Sequence, residues 1–171
     1  MDGPPPDVPA IVRFAQVGPG NVYGALPPID DRGRDQIAMF RAWNPDPVAN
    51  SARILAGVRP ELAAVVRKAQ ADEPGIAFVV GSGRRSAAEQ RQAAAWGWSP
   101  GGGGPGLRKH QDGEAVDLWP LDEAGRVTFA PSALVRVAGA VKRAARALGV
   151  PISWGGDWRS RRKDMPHFQL R

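Results

Sequence analysis

The chain has two histidines in 171 residues, and each lies in a dense polar segment. The first opens His110-Gln111-Asp112-Gly113-Glu114-Ala115-Val116-Asp117, and the second lies in Asp164-Met165-Pro166-His167-Phe168. Imidazole and carboxylate are ligand types of a catalytic zinc, which takes three protein ligands and keeps one position open. The chain has no cysteine. Thiolate ligation and disulfides are therefore excluded, and a metal site with histidine ligands must draw on both histidines. Asp117 lies inside the apolar run Ala115–Trp119, and a buried carboxylate is costly unless it is paired or bound to metal. The small residues Gly113 and Ala115 let the chain bend and pass close to another element. Asp164 precedes His167 by three residues, with Pro166 fixing the backbone between them. A carboxylate so placed can stand beside a metal without binding it, taking a proton from water and passing it to a leaving amine. Taken singly, each motif has a plainer reading. Asp117 is then a hydrogen-bonded core aspartate, His110 a surface loop residue and Asp164 a surface carboxylate near the C-terminus.

The elements that must position these groups follow from periodicity. Residues 1–50 read as an extended arm, broken by Pro4-Pro5-Pro6, Gly18-Pro19-Gly20 and Pro27-Pro28, with a short helix near Asp35 to Trp43. Residues 51–171 read as the folded domain. Pro60 suits a first helical turn, and Leu62, Val65, Val66 and Ala69 share one face. Ile76–Val80 has strand length, and Gly81–Arg85 reads as a turn. Ser86 with Glu89 forms a capping box that opens a helix running to about Ala95. A glycine-rich flexible loop fills 97–106. Ala115–Trp119 reads as a buried strand. Pro131–Leu148 is a long amphipathic helix stopped by Gly149 and Pro151. Ile152–Trp154 and His167–Leu170 complete a set of short strands. The expected fold is α+β, a small antiparallel sheet with flanking helices.

Composition narrows the function classes. The net charge is +6, which suits an anionic partner such as nucleic acid, a membrane face or cell-wall polymer, or simply a solvated basic surface. No helix-turn-helix, zinc finger or aromatic RNA-binding motif supports specific nucleic-acid recognition. No apolar run approaches a membrane span. Met1–Pro9 is acidic and proline-rich, unlike a secretory signal.

Together the motifs resemble the zinc peptidases of the VanY and D-alanyl-D-alanine carboxypeptidase-like group, which share a core with lysostaphin-type enzymes and the Sonic hedgehog domain. The group's pattern of Ser-Gly-x-Arg-Ser, a glutamine, His-x2-Gly-x-Ala-x-Asp and Asp-x-x-His is met by Ser82-Gly83-Arg84-Arg85-Ser86, Gln90, His110 to Asp117 and Asp164 to His167. The similarity covers roughly residues 55–171. Trp154-Gly155-Gly156-Asp157-Trp158 and Val58-Arg59-Pro60-Glu61-Leu62 are similar to the L-alanyl-D-glutamate peptidase branch, rich in phage endolysins. The resemblance implies a hedgehog and D-Ala-D-Ala-peptidase-like fold. It implies one zinc ion per chain on His110, Asp117 and His167, and Asp164 as catalytic base. It implies that Arg85 binds substrate or the developing oxyanion, with Gln90 helping to shape the site and Ser86 among the substrate contacts. The implied substrate is bacterial peptidoglycan, cut at L-alanyl-D-glutamate or, as the nearest alternative, by D-alanyl-D-alanine carboxypeptidase or dipeptidase action. An alternative of another class is a non-catalytic phage-tail component that keeps the fold. Without a signal the protein would reach the wall from the host cytoplasm by holin-type release, or on a virion tail whose baseplate proteins residues 1–50 would dock. Arg108 stands where the group has serine or threonine, and Arg159–Lys163 is unusually basic.

The remaining residues have two readings each. Trp154 and Trp158 either stack on substrate or fill the core. Asp157 holds the Gly-Gly turn rather than binding metal. Asp112 and Glu114 face solvent beside the ligands. Trp96 and Trp98 line a lid or a partner surface. The 159–163 run is a solvated face or meets an anionic wall.

Overall fold

A computed structural model describes residues 36–98, 108–159 and 163–171. The expected arm up to residue 35, the glycine loop from 99 onward and positions 160–162 of the basic run lie outside the described residues. Helices α1 (Gln36–Trp43), α2 (Pro47–Ala56) and α3 (Pro60–Asp72) lead into strand β1 (Phe78–Ser82) and helix α4 (Ala87–Ala95). Strand β2 (Ala115–Pro120), helix α5 (Pro131–Leu148), strand β3 (Ile152–Trp154), a 3-10 turn (Gly155–Asp157) and strand β4 (His167–Leu170) follow. The strands form one antiparallel sheet in the order β1-β2-β4-β3. The architecture is the expected α+β one. No helix among the described residues is long and apolar enough to cross a membrane.

Proline opens α2, α3 and α5, where a missing N–H leaves nothing unpaired. The apolar stripes of α3 and α5 pack on one face of the sheet. Leu62, Val66, Val137 and Val141 meet Val80, Val116, Leu118 and Phe168 there. Each such side chain contributes roughly 1.5–3 kcal/mol by leaving water. Strand side chains alternate between faces, so Asp117 and His167 point away from this core. They are directly paired across β2 and β4.

The first strand begins and ends later than its apolar run suggests. Ile76 is held in a turn by its N–H to the Glu73 carbonyl (2.9 Å). Gly81 and Ser82 belong to the strand rather than to a turn. A bulge between Val80 and Ser82 brings Ser82 opposite Asp117. Gly81 is required because a Cβ there would run into the Trp119 indole. As an edge strand, β1 has backbone groups with no strand partner, and side chains from the helical segments meet them. Gln70 donates to the Phe78 carbonyl (3.2 Å), Ser51 Oγ accepts from Val80 N–H (2.9 Å), and Asn44 donates to the Gly81 carbonyl (3.0 Å).

The short helix expected near Asp35 to Trp43 is present as α1. It packs on the domain, with Met39 and Ala42 buried against Trp96. Residue 50, expected to end the arm, falls inside α2. Trp96 and Trp98 pack against α1. Trp96 is 3% exposed, and both rings join an aromatic cluster with Trp43 and Phe40. The basic face of α5 is partly tethered. Arg143 makes a paired contact with Glu73 (2.7 and 2.9 Å), and Lys142 bonds Asp157 (2.6 Å).

Ser86 caps α4, as its spacing predicts. Its Oγ accepts from Glu89 N–H (3.1 Å), and the Glu89 carboxylate accepts from Ser86 N–H (2.7 Å). Ser86→Ala should lower stability by about 1 kcal/mol, measured by urea denaturation.

Candidate metal centre

His110 sits in the tight turn before β2. Lys109 and Glu114 brace that turn through an ion pair of 2.6 Å, and Arg59 adds a contact to Glu114 at 3.6 Å. Glu114 is therefore half-buried and paired, not simply solvent-facing. Asp112 is exposed as expected, 4.0 Å from Arg108. Arg108 itself points outward.

The two imidazoles are fixed in defined tautomers. His110 Nδ1 lies 2.8 Å from the Gly83 carbonyl. A carbonyl only accepts, so Nδ1 carries the proton and Nε2 keeps its lone pair. His167 Nε2 lies 2.9 Å from Gln169 Oε1. It donates there and leaves Nδ1 as the lone-pair atom. The two lone-pair atoms face each other at 3.2 Å. Asp117 Oδ1 closes the triangle, 3.5 Å from His110 Nε2 and 3.3 Å from His167 Nδ1. Tetrahedral ligands bound at about 2.0–2.1 Å stand about 3.3 Å apart. The donor set thus fits a small tetrahedral dication in chemistry and in spacing. His110, Asp117 and His167 form a candidate metal group.

Electrostatics agree with the geometry. Burial pushes the Asp117 carboxyl up, but His110, His167 and Arg85 outweigh it and hold it well below the usual carboxylate range. Burial, helped by Arg85 and His167, pushes His110 down against the pull of Asp117, so it stays neutral and ready to ligate. His167 is raised. Burial opposes this, but the Asp117 contact and charge, the Asp164 charge and Gln169 prevail. The anionic surroundings that hold a proton on His167 equally attract a metal cation, and the two compete for one lone pair.

Asp164 stands beside this group. Its carboxyl is pushed up to about 6, first by burial and then by the charge of Asp117, with His167 and Arg85 opposing. Its backbone is clamped on both sides. Asp164 N–H donates to the Gly155 carbonyl (3.2 Å), and its carbonyl accepts from His167 N–H (3.1 Å). Gly155 permits this approach, since a Cβ there would strike the Asp164 carbonyl.

The other expected site residues divide. Arg85 is brought to the centre but is not open to a substrate, with only 5% of its side chain exposed. Its Nη2 donates to Asp117 Oδ2 (2.8 Å), Nη1 to Gln90 Oε1 (3.4 Å) and Nε to Ser82 Oγ (3.3 Å). Gln90 therefore acts on the site through Arg85. Ser86 commits its hydroxyl to the α4 cap. Trp158 lies beside the metal group, its ring 5.2 Å from that of His167 and its Nε1–H on Ser153 Oγ (3.2 Å). Trp154 is corrected from substrate contact to core. Its register partner is Phe168, on the helix-covered face, and its Nε1–H donates to the Met165 carbonyl (2.6 Å). Asp157 is held by Lys142 at 2.6 Å. Sequence reasoning missed Gln169 and the Gly83 carbonyl. Gln169 had a signal, because residues two apart on a strand share a face. A backbone carbonyl leaves none.

Comparison with known proteins adds an independent line. The family model for phage L-alanyl-D-glutamate peptidase matches residues 48–168. The crystal structure of the Serratia marcescens L-Ala D-Glu endopeptidase ChiX is similar to this chain. The TM-score is 0.62 at 37% identity, over 75% of this chain and 93% of that one. Comparison with curated proteins gives no match. The match to the family spans most of the chain and includes all three candidate ligands and Asp164, so the chain belongs to the phage L-alanyl-D-glutamate peptidase family.

Proposed function

We propose that the protein is a zinc-dependent peptidoglycan hydrolase that cuts the L-alanyl-D-glutamate bond of the stem peptide. One observation carries the reading. Three lone-pair atoms converge at 3.2–3.5 Å beside a carboxyl poised near neutrality. The family and the ChiX likeness supply the substrate class.

His110, Asp117 and His167 would hold the ion. When bound, zinc supplies Lewis-acid activation of a water and of the scissile carbonyl. Asp164 takes the proton of the attacking water and returns it to the leaving amine, which a carboxyl with a raised pKa does well near neutral pH. Gln169 and the Gly83 carbonyl keep the imidazole lone pairs directed at the ion. Trp158, half-buried next to His167, is the aromatic wall available to substrate. D-alanyl-D-alanine cleavage would use the same groups, so the bond is decided by the pocket. The setting belongs to the same reading: holin release from the host cytoplasm, or carriage on a virion tail through the arm read over residues 1–50, brings the protein to the wall.

Asp164→Asn should keep zinc binding and lose at least about 100-fold in hydrolysis. Mass spectrometry of digested peptidoglycan checks this and should show new termini at L-alanine and D-glutamate. Termini at D-alanine would move the assignment to the carboxypeptidase class. Activity unchanged in Asp164→Asn would refute the proton-transfer role. Gln169→Ala should free the His167 tautomer and weaken zinc binding about tenfold, read by chelator competition.

A further inference from the structure

The segment ahead of the family match is built into the back of the metal centre. Two of its residues, Trp43 and Asn44, precede residue 48, where that match begins. The Arg85 guanidinium lies over the Trp43 ring, its Cζ 5.3 Å from the centroid. A planar cation on an aromatic face is fixed in orientation as well as attracted. Arg85 then offers Nη2 to Asp117 Oδ2 at 2.8 Å, the oxygen opposite the one that faces the histidines. Asn44 is 3% exposed and donates to the Gly81 carbonyl at 3.0 Å. Asn50 in turn donates to Asn44 Oδ1 at 2.9 Å and orients its amide.

Gly81 leads directly into the segment that serves two ligands. Ser82 Oγ accepts from Arg85, which orients Asp117. The Gly83 carbonyl accepts from His110 Nδ1, which orients the first imidazole. The connection from α1 to α2 thus presses on the one stretch of backbone that sets both ligands.

We infer that Trp43 and Asn44 are positioning residues of the metal centre, acting through Arg85 and the Gly81–Gly83 backbone on Asp117 and His110. Trp43 acts from beneath Arg85, and Asn44 from the Gly81 carbonyl. The unit that supports the metal centre therefore extends at least into α1. A cut at residue 50 would remove part of the site's support.

The inference rests on the zinc peptidase reading for its activity arm only; metal affinity reports on it separately. Trp43→Leu keeps an apolar side chain of smaller volume and loses the aromatic face, whereas Trp43→Phe keeps an aromatic face of reduced size. In the full chain, Trp43→Leu should raise the zinc dissociation constant about tenfold by chelator competition and lower kcat with KM little changed. Trp43→Phe should restore most of both. In an Arg85→Lys background the leucine substitution should cost much less, because the two residues act in series. Equal losses in the leucine and phenylalanine variants, or additive losses with Arg85→Lys, would overturn the inference. Asn44→Ala leaves the aromatic cluster intact and carries the same test should the leucine variant fail to fold. It should weaken zinc binding by about threefold, and unchanged affinity in it would also overturn the inference. Wild-type protein that binds zinc but cuts no peptidoglycan would count against the proposed function alone.

Discussion

Asp117 holds a negative charge in the middle of an otherwise buried strand, and the surrounding structure is arranged around that charge. A carboxylate taken from water must be answered by partners or by a cation. One oxygen is answered by Arg85 at 2.8 Å. The other faces two imidazoles at 3.3 and 3.5 Å. Arg85 is itself buried, so it needs Ser82, Gln90 and the Trp43 ring. The histidines need Gly83 and Gln169. Each partner brings its own supporting contact, and together they tie α1, β1, α4, β2 and β4 to one oxygen pair.

The sheet makes this arrangement affordable in space. Its helix-covered face is filled with apolar side chains, and its other face carries the ligands. The two tasks share strands but not residues. Val116 and Leu118 pack the core while Asp117 between them faces the two histidines. The 3-10 turn after β3 holds the Asp164 backbone beside the candidate metal group through the Gly155 carbonyl.

Much of this was legible in the residues, for identifiable reasons. The candidate metal group could be named because cysteine is absent and histidine is scarce, and because the types and order of its residues match a specific motif. The long helix, the Ser86 cap and the β2 and β4 strands announce themselves through periodicity and stop signals. The role of Arg85 was less legible. A guanidinium near a metal motif suggests substrate, whereas burial and three protein acceptors place this one against Asp117. Trp154 was ambiguous until strand register put it on the Phe168 side. The contribution of α1 was hidden because its contacts span about forty residues and depend on a ring stacking beneath a side chain, which no local pattern encodes.

The pairing of Asp117 with His167 across β2 and β4 has a further consequence. A slip of one residue in that pairing exchanges the two faces of a strand. It would drive Asp117 or His167 toward α3 and α5 and turn Val116 or Phe168 out to water. A chain that pairs wrongly therefore loses its core and its ligands in the same step. Hydrolytic competence is thus a proofreading mark of correct strand alignment, and a misaligned copy of this wall-cutting protein is inert.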